Sequence, residues 1–190
     1  MARLYESLAA DRAAARPVGP VADLAAFFAK PYPRSTAMSA DARIAELGLE
    51  LPPPPKPGGN YVPWRIGGGL LFLSGVGPRR PDGTSFTGKV GRDLTTEEAY
   101  VTARQCGLNL LANMRAALGS LDRVDTILKV LGMVNAIPKF QDHPKVINGC
   151  TDLFVEVFGE KGRGARSAVG MITLPSQIAV EVEMVLEVED

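Results

Sequence analysis

Histidine and cysteine are almost missing from this chain, and each shortage removes a class of chemistry. One histidine, His143, stands among 190 residues. A histidine-rich metal cage is therefore excluded, and a His-paired nucleophile survives only if His143 serves. Two cysteines, Cys106 and Cys150, make neither a disulfide framework nor a zinc site, and there is no CxxC. No apolar run approaches the roughly 20 residues of a membrane span, so no membrane partner is expected. An excess of one charge is lacking too, since 21 Lys+Arg balance 21 Asp+Glu. Such a chain has no long-range field to draw it onto nucleic acid. What is left is 46% hydrophobic and 22% charged, the make-up of one soluble domain expected in the cytoplasm. Its chemistry has to run on Arg, Glu, Tyr, hydroxyls and backbone groups.

Residues 1–37 differ from the rest, with eleven alanines and four arginines. Asp11, Arg12, Arg16 and Asp23 interrupt any signal-like apolar core, and three acidic residues count against a transit peptide. The segment reads as an N-terminal extension, poorly ordered or a loosely docked helix. Ser39 then suits the cap of a short helix through Ile44, Leu47 and Leu49. Leu51 to Gly59 carries five prolines and reads as a stiff lead-in to the first strand. The chain thus divides into an extension over 1–37, a short helix and proline-rich lead-in over 38–60, and a folded body over 61–190.

Within the body, Tyr61–Ile66 and Leu70–Ser74 flank Gly67-Gly68-Gly69 and predict a β-hairpin. Phe86–Val90 suggests a further short extended piece. Thr95 and Glu98 form a capping box ahead of Ala99, Ala103, Gly107, Leu110, Met114 and Leu118, which recur at helical spacing and stop at Gly119. Thr126–Ala136 is apolar on both parities, as in a strand covered on both sides. A second helix opens at Asp142-His143-Pro144 and ends at Gly159. Two last strands follow, Arg166–Thr173 and Ile178–Val188. In the second, Val180, Val182, Met184, Leu186 and Val188 alternate with Glu181, Glu183, Glu187 and Glu189, which gives a core face and a carboxylate face. The order β-β-(β)-α-β-α-β-β predicts an α+β fold, a mixed sheet with two helices on one face. Its apolar residues outnumber what two helices can bury, so oligomerisation through the sheet is expected.

Arg166 begins an otherwise apolar strand after a glycine-rich loop. A guanidinium there suits a carboxylate, gripped by two parallel hydrogen bonds, or an intersubunit salt bridge. Glu181 reads either as a proton carrier or as one rung of a solvated ladder. Tyr61 either lends a hydroxyl to a site or plugs the hairpin. Cys106 and Cys150 read as small core residues, and His143 as a surface residue at a helix start.

Arg166-Ser167-Ala168-Val169-Gly170, Leu174-Pro175 and Val180-Glu181-Val182-Glu183 resemble the C-terminal signature of the reactive-intermediate deaminase family, RidA or YjgF, also termed L-PSP endoribonuclease-like. Tyr61 ahead of Leu70-Leu71-Phe72-Leu73-Ser74-Gly75, the long helix, Gly119-Ser120-Leu121-Asp122-Arg123-Val124 and Asn148 agree in order and spacing. The similarity spans about residues 56–189. The resemblance implies a chorismate-mutase-like (bacillus type) fold assembled as a homotrimeric barrel, with active sites in clefts between subunits. It also implies hydrolysis of 2-imino or 2-enamino acids to 2-keto acids and ammonia, without metal or organic cofactor. On that pattern Arg166 binds the substrate carboxylate and Glu181 contacts water or the imino nitrogen. Tyr61, Gly75 and Ala168 line the cleft, the last two through their backbone, and Asn148 supports it.

Departures accompany the match. Ala168 stands where many members have cysteine, Val76 to Pro81 differs from the usual turn, and the second helix lacks the usual tyrosine. These mark a divergent branch. A trimeric small-carboxylate-binding or regulatory protein of the same fold is the alternative to a deaminase. Ribonuclease activity is a distant third, because charge is balanced and no aromatic-basic stripe is present.

Overall fold

In the computed structural model, which describes residues 38–54 and 57–189, a short helix α1 (Ala40–Glu46) precedes the hairpin of β1 (Trp64–Gly67) and β2 (Leu70–Val76). Then come α2 (Thr96–Leu118), β3 (Val124–Asn135), α3 (His143–Phe158), β4 (Ala165–Met171) and β5 (Val180–Val188). The extension expected over 1–37 lies outside the described residues. The strands form one mixed sheet in the order β1-β2-β5-β3-β4, so the α+β class holds. Only β3 and β4 pair in parallel, because α3 supplies the crossover that parallel neighbours require.

Local signals set most of these elements. The Thr95 side chain accepts from the Glu98 amide, and the Glu98 carboxylate accepts from the Thr95 amide at 2.8 Å. Gly119 closes α2 at φ +81°. The hairpin turns on Gly68 and Gly69 alone, at φ +60° and +75°, and Gly67 belongs to β1. Two positive φ angles in a two-residue turn match the twist of paired strands.

The short extended piece expected around Phe86–Val90 is not a strand of the sheet. Thr87 bridges only Ile178, and Val90 bridges Leu94 and Ala136. Gly88 at φ +115° and Gly91 at φ +87° bend the chain before a ladder can run. Likewise β4 stops at Met171 and β5 starts at Val180. Between them Pro175–Gln177 make a tight turn with Ser176 and Gln177 at positive φ.

The two long helices cover one face of the sheet. Val180, Val182, Met184 and Leu186 of β5 and Ile127, Val130 and Val134 of β3 are buried beneath them. The other face keeps Phe72 at 46% exposure and Val169 at 38%, with Leu131, Met133 and Val185 only half-buried. The sequence expects β3 to be covered on both sides; within one chain it is covered on one. α1 is tied to the body through Asp41. Its carboxylate accepts from Arg115 at 2.7 Å, from the Ser120 hydroxyl at 2.6 Å and from the Leu121 amide at 3.1 Å, and Ile44 enters the core.

α2 and α3 cross closely enough that backbone meets backbone. A β-carbon at Gly149 would land on the Tyr100 carbonyl, and one at Gly107 would come within 2.9 Å of Leu153. Around this contact Arg104 donates two hydrogen bonds to Glu156, at 3.0 and 2.6 Å, and the Tyr100 hydroxyl donates to Asp152 at 3.0 Å. Gly149→Ala must therefore push the helices apart. We expect a loss of about 3 kcal/mol, read as a lower midpoint in urea denaturation.

Candidate functional site

Arg166 stands on β4, the edge strand, opposite Val130 of β3. Val130 is 1% exposed beneath the helices, so the arginine side chain leaves on the helix face. Its Nη1 donates to Asn148 Oδ1 at 2.7 Å and to Thr151 Oγ1 at 3.0 Å. These two α3 residues are three apart and share one helix face. Nε and Nη2 have no partner among the described residues, and no carboxylate there pairs with Arg166. The free edge of the guanidinium is the one suited to two parallel bonds from an oxyanion.

The floor beside this arginine is made of small residues. Ala168 follows on the same face, opposite Gly132, and Gly170 comes next. A β-carbon at Gly170 would collide with His143 Nε2. His143 is held edge-on against Phe140, with centroids 5.1 Å apart and planes at 87°. It is therefore packed against the strand that carries Arg166, rather than free at a helix start.

Glu181 belongs to the opposite face. It pairs with Met133, one step out of phase with the buried row of Val180 and Val182. A β-carbon at Gly75 would land on Glu181 Oε1, so the missing side chain is what makes room for the carboxylate. An irregularity in β2 between Leu73 and Val76 brings Ser74 and Gly75 there. Burial, reinforced by the like charge of Glu183, holds the Glu181 carboxyl above the usual carboxylate range. Tyr61 is 53% exposed and its hydroxyl accepts from the Gly58 amide at 3.2 Å. Tyr61 and Gly75 line a common cavity.

The six residues thus form two groups within one chain. Arg166, Asn148 and Ala168 gather at the β4 edge under α3. Tyr61, Gly75 and Glu181 gather where β2 meets β5. Arg166 and Glu181 leave opposite faces of the sheet, so one chain does not bring them onto one small ligand. Sequence reasoning missed Thr151 as the second anchor of Arg166, although its spacing of three from Asn148 on a helix was a usable sign. It also missed Asn113, a buried residue in the wall of the Tyr61 cavity. Among the described residues no three or more His, Cys, Asp or Glu side chains converge on a possible metal position, and no helix is long and apolar enough to cross a membrane.

Residues 41–187 match the family model described as "YjgF/chorismate_mutase-like, putative endoribonuclease". The chain belongs to this family. It is the RidA/YjgF family that the sequence motifs resemble. Among curated proteins, Protein TCP17 of Trypanosoma cruzi is 41% identical over 150 residues, covering 78% of this chain and 94% of that one. Among solved structures, Atu1372 of Agrobacterium tumefaciens, a protein of unknown function, is 40% identical with a TM-score of 0.72. The match covers 79% of this chain and 94% of that one. A Shewanella oneidensis protein bearing the same endoribonuclease description is 33% identical with a TM-score of 0.77, over 80% of this chain and all 100% of its own.

The Glu181 environment has a measurable consequence. A carboxyl raised by burial is protonated in both folded and unfolded states below the ordinary 4.5, where burial brings no penalty. As pH rises through the folded value the carboxylate has to ionise in place, and that stability is lost. Glu181→Gln is therefore expected to raise Tm at neutral pH, with the difference shrinking to nothing below about pH 4. Thermal melts of both proteins across pH 3.5–8 check this.

Proposed function

We propose that the protein hydrolyses 2-imino or 2-enamino acids to 2-keto acids and ammonia, in sites shared between the subunits of a homotrimer. The observation that carries this reading is the Arg166 guanidinium. It is anchored through one nitrogen to two neutral partners and keeps its remaining edge for an anion. A substrate carboxylate docked there fixes the adjacent imine carbon in position. Such a carbon is already electrophilic, so orientation and a guided water supply most of what the reaction needs.

Glu181 is the proton carrier in this scheme. As carboxylate it takes a proton from water while the oxygen adds to the imine carbon, and it passes that proton to the nitrogen as the double bond opens. The resulting carbinolamine then gives its hydroxyl proton to Glu181 as the carbonyl forms, and Glu181 returns that proton to the nitrogen, which leaves as ammonia when the C–N bond breaks. A carboxyl whose burial raises it above its ordinary value gives up less readily the proton it has taken, which suits a group that must both accept and donate.

Assembly follows from the division of the site. The Arg166 group sits at the β4 edge and the Glu181 group lies toward the other side of the sheet, on the opposite face. A second copy packed on the apolar sheet face covers Phe72 and Val169, and because β4 is the edge strand a ligand held there by Arg166 can meet the neighbouring copy's Glu181 around that edge. The trimer number comes from the family pattern. Asn148 and Thr151 position the guanidinium, Ala168 and Gly75 present backbone to the ligand, and Tyr61 closes the cleft.

Imines generated in situ by a threonine dehydratase give the test. Wild type is expected to accelerate keto-acid release. Arg166→Ala should lower kcat/KM about 100-fold or more, the loss of a charge-assisted pair worth about 3 kcal/mol, while sedimentation still shows the wild-type assembly. Arg166-independent turnover would sink the mechanism. A protein with no turnover that binds small carboxylates through Arg166 would instead be a carboxylate-binding protein.

A further inference from the structure

Three positions of β4 face the helices in one row, opposite Val130, Gly132 and Val134 of β3, and the chain fills them unequally. Arg166 brings a guanidinium, Ala168 a methyl group and Gly170 nothing. The place of the missing third side chain is taken by the imidazole of His143. A β-carbon at Gly170 would collide with His143 Nε2, and the next nearest atoms to it belong to the same ring. The α3 crossover joins parallel strands, so the helix runs antiparallel to β4 and its first turn lies over the strand's end. Further along α3, Asn148 and Thr151 reach Arg166. The completed row reads guanidinium, methyl, imidazole.

Both ends of this row hold donors that the chain leaves free. Arg166 keeps Nε and Nη2, as described above. His143 is half-buried, and neither of its ring nitrogens has a hydrogen-bond partner among the described residues. Neither nitrogen is sealed from solvent, because Asn113 alone among those residues holds side-chain polar atoms that are both sealed and unpartnered. The edge-on contact with Phe140 orients the ring without using its nitrogens. Asp142, next to it in the chain, is paired with Lys145 at 3.0 Å. We infer that His143 is a second recognition residue of the Arg166 site, and that the ligand is a dicarboxylate whose far carboxylate accepts from the imidazole. Arg166 and Gly170 are about 13 Å apart along the strand. A five-carbon diacid has about 5 Å between its carboxyl carbons. With its oxygens and a hydrogen bond of about 2.9 Å at each end it spans about 12 Å between donors. Two donors that no protein carboxylate occupies, with only a methyl group between them, complement two negative charges. An imidazole N–H donates to a carboxylate whether the ring is neutral or protonated, whereas an alkyl chain would leave it facing an apolar group. Under the hydrolase reading, on which this assignment rests, the preferred substrates are five-carbon 2-imino dicarboxylic acids.

The test has two arms. In the first, amino-acid oxidases generate imines from glutamate and from norvaline, which has the same chain length without the second acid. Their consumption by the full-length protein is followed. Wild type is expected to favour the glutamate-derived imine about 30-fold, which corresponds to about 2 kcal/mol for a hydrogen bond to a charged group. His143→Leu should abolish that preference, and His143→Ala should do the same if the leucine variant does not fold. Equal use of both imines by wild type, or a preference that survives in both variants, overturns the proposal. The second arm is independent of turnover. Because the chain has one histidine, its imidazole signals in an NMR spectrum belong to His143. They are followed as glutarate or pentanoate is added to wild type and to Arg166→Ala. A saturable shift with glutarate alone, lost in Arg166→Ala, supports the dicarboxylate site even if neither imine is consumed, in which case it is the hydrolase reading that has failed. No shift with glutarate, equal shifts with both acids, or a shift that persists in Arg166→Ala overturns the shared site.

Discussion

Along β5 every second residue has to face the same way, and the chain has helices for only one of the two faces. Val180, Val182, Met184 and Leu186 take the covered side, which commits Glu181, Glu183 and Glu187 to the other. That single constraint sets the phase of β3 and β4 through their registers. Val130 falls in line with Met184, and Arg166 falls in line with Val130. The arginine is thereby sent toward α3 and the glutamate away from it. The separation of the two groups is a property of the pleat, and no local rearrangement of side chains can undo it. A small ligand that touches both needs a second copy of the sheet.

The helices meet this constraint with glycine where they come closest. Gly149 lets α3 approach the backbone of α2 at Tyr100, and Gly132 leaves room on β3 for Ile147. Pressed this close, α3 presents Asn148 and Thr151 directly to the β4 edge, within bonding distance of Arg166. The crossing of two helices thus fixes the aim of a guanidinium on a neighbouring strand. The ion pairs around that crossing lie partly in solvent and hold its rim; what sets the distance is the absence of side chains at its centre.

Local chemistry was legible in the sequence. The Thr95–Glu98 capping box, the stops at Gly119 and Gly159 and the alternation of the last strand each depend on neighbours within a few residues, and each appears where its signal falls. Non-local geometry was not. The stretch Phe86–Val90 has the composition of a strand, yet positive φ at Gly88 and Gly91 turns it, a choice made by packing against Ile178 and Ala136. The face on which Arg166 emerges depends on pairing with β3, more than thirty residues earlier in the chain. Asn113 reads as one more polar residue on a long helix until the fold closes over it and leaves its amide without a partner. Among the candidate site residues, the chain supplied identities and the register supplied grouping.

Three arginines of the domain, Arg104, Arg115 and Arg166, show what distinguishes a structural guanidinium from one kept for a ligand. Arg104 meets Glu156 in a two-bond pair, and Arg115 meets Asp41. In each, a carboxylate of the same chain neutralises the charge and takes two of the guanidinium donors, through both oxygens of Glu156 and through one oxygen of Asp41. Arg166 is as firmly held, by Asn148 and Thr151, but both partners are neutral and both use the same nitrogen. Neutral anchors restrict the side chain without cancelling its charge, so the entropy of orienting it is lost on folding rather than on binding. Replacing either anchor by an acid would stabilise the empty protein and spoil the site, because an arriving carboxylate would have to displace one already there. The choice of an amide and a hydroxyl in these two positions is what keeps Arg166 available.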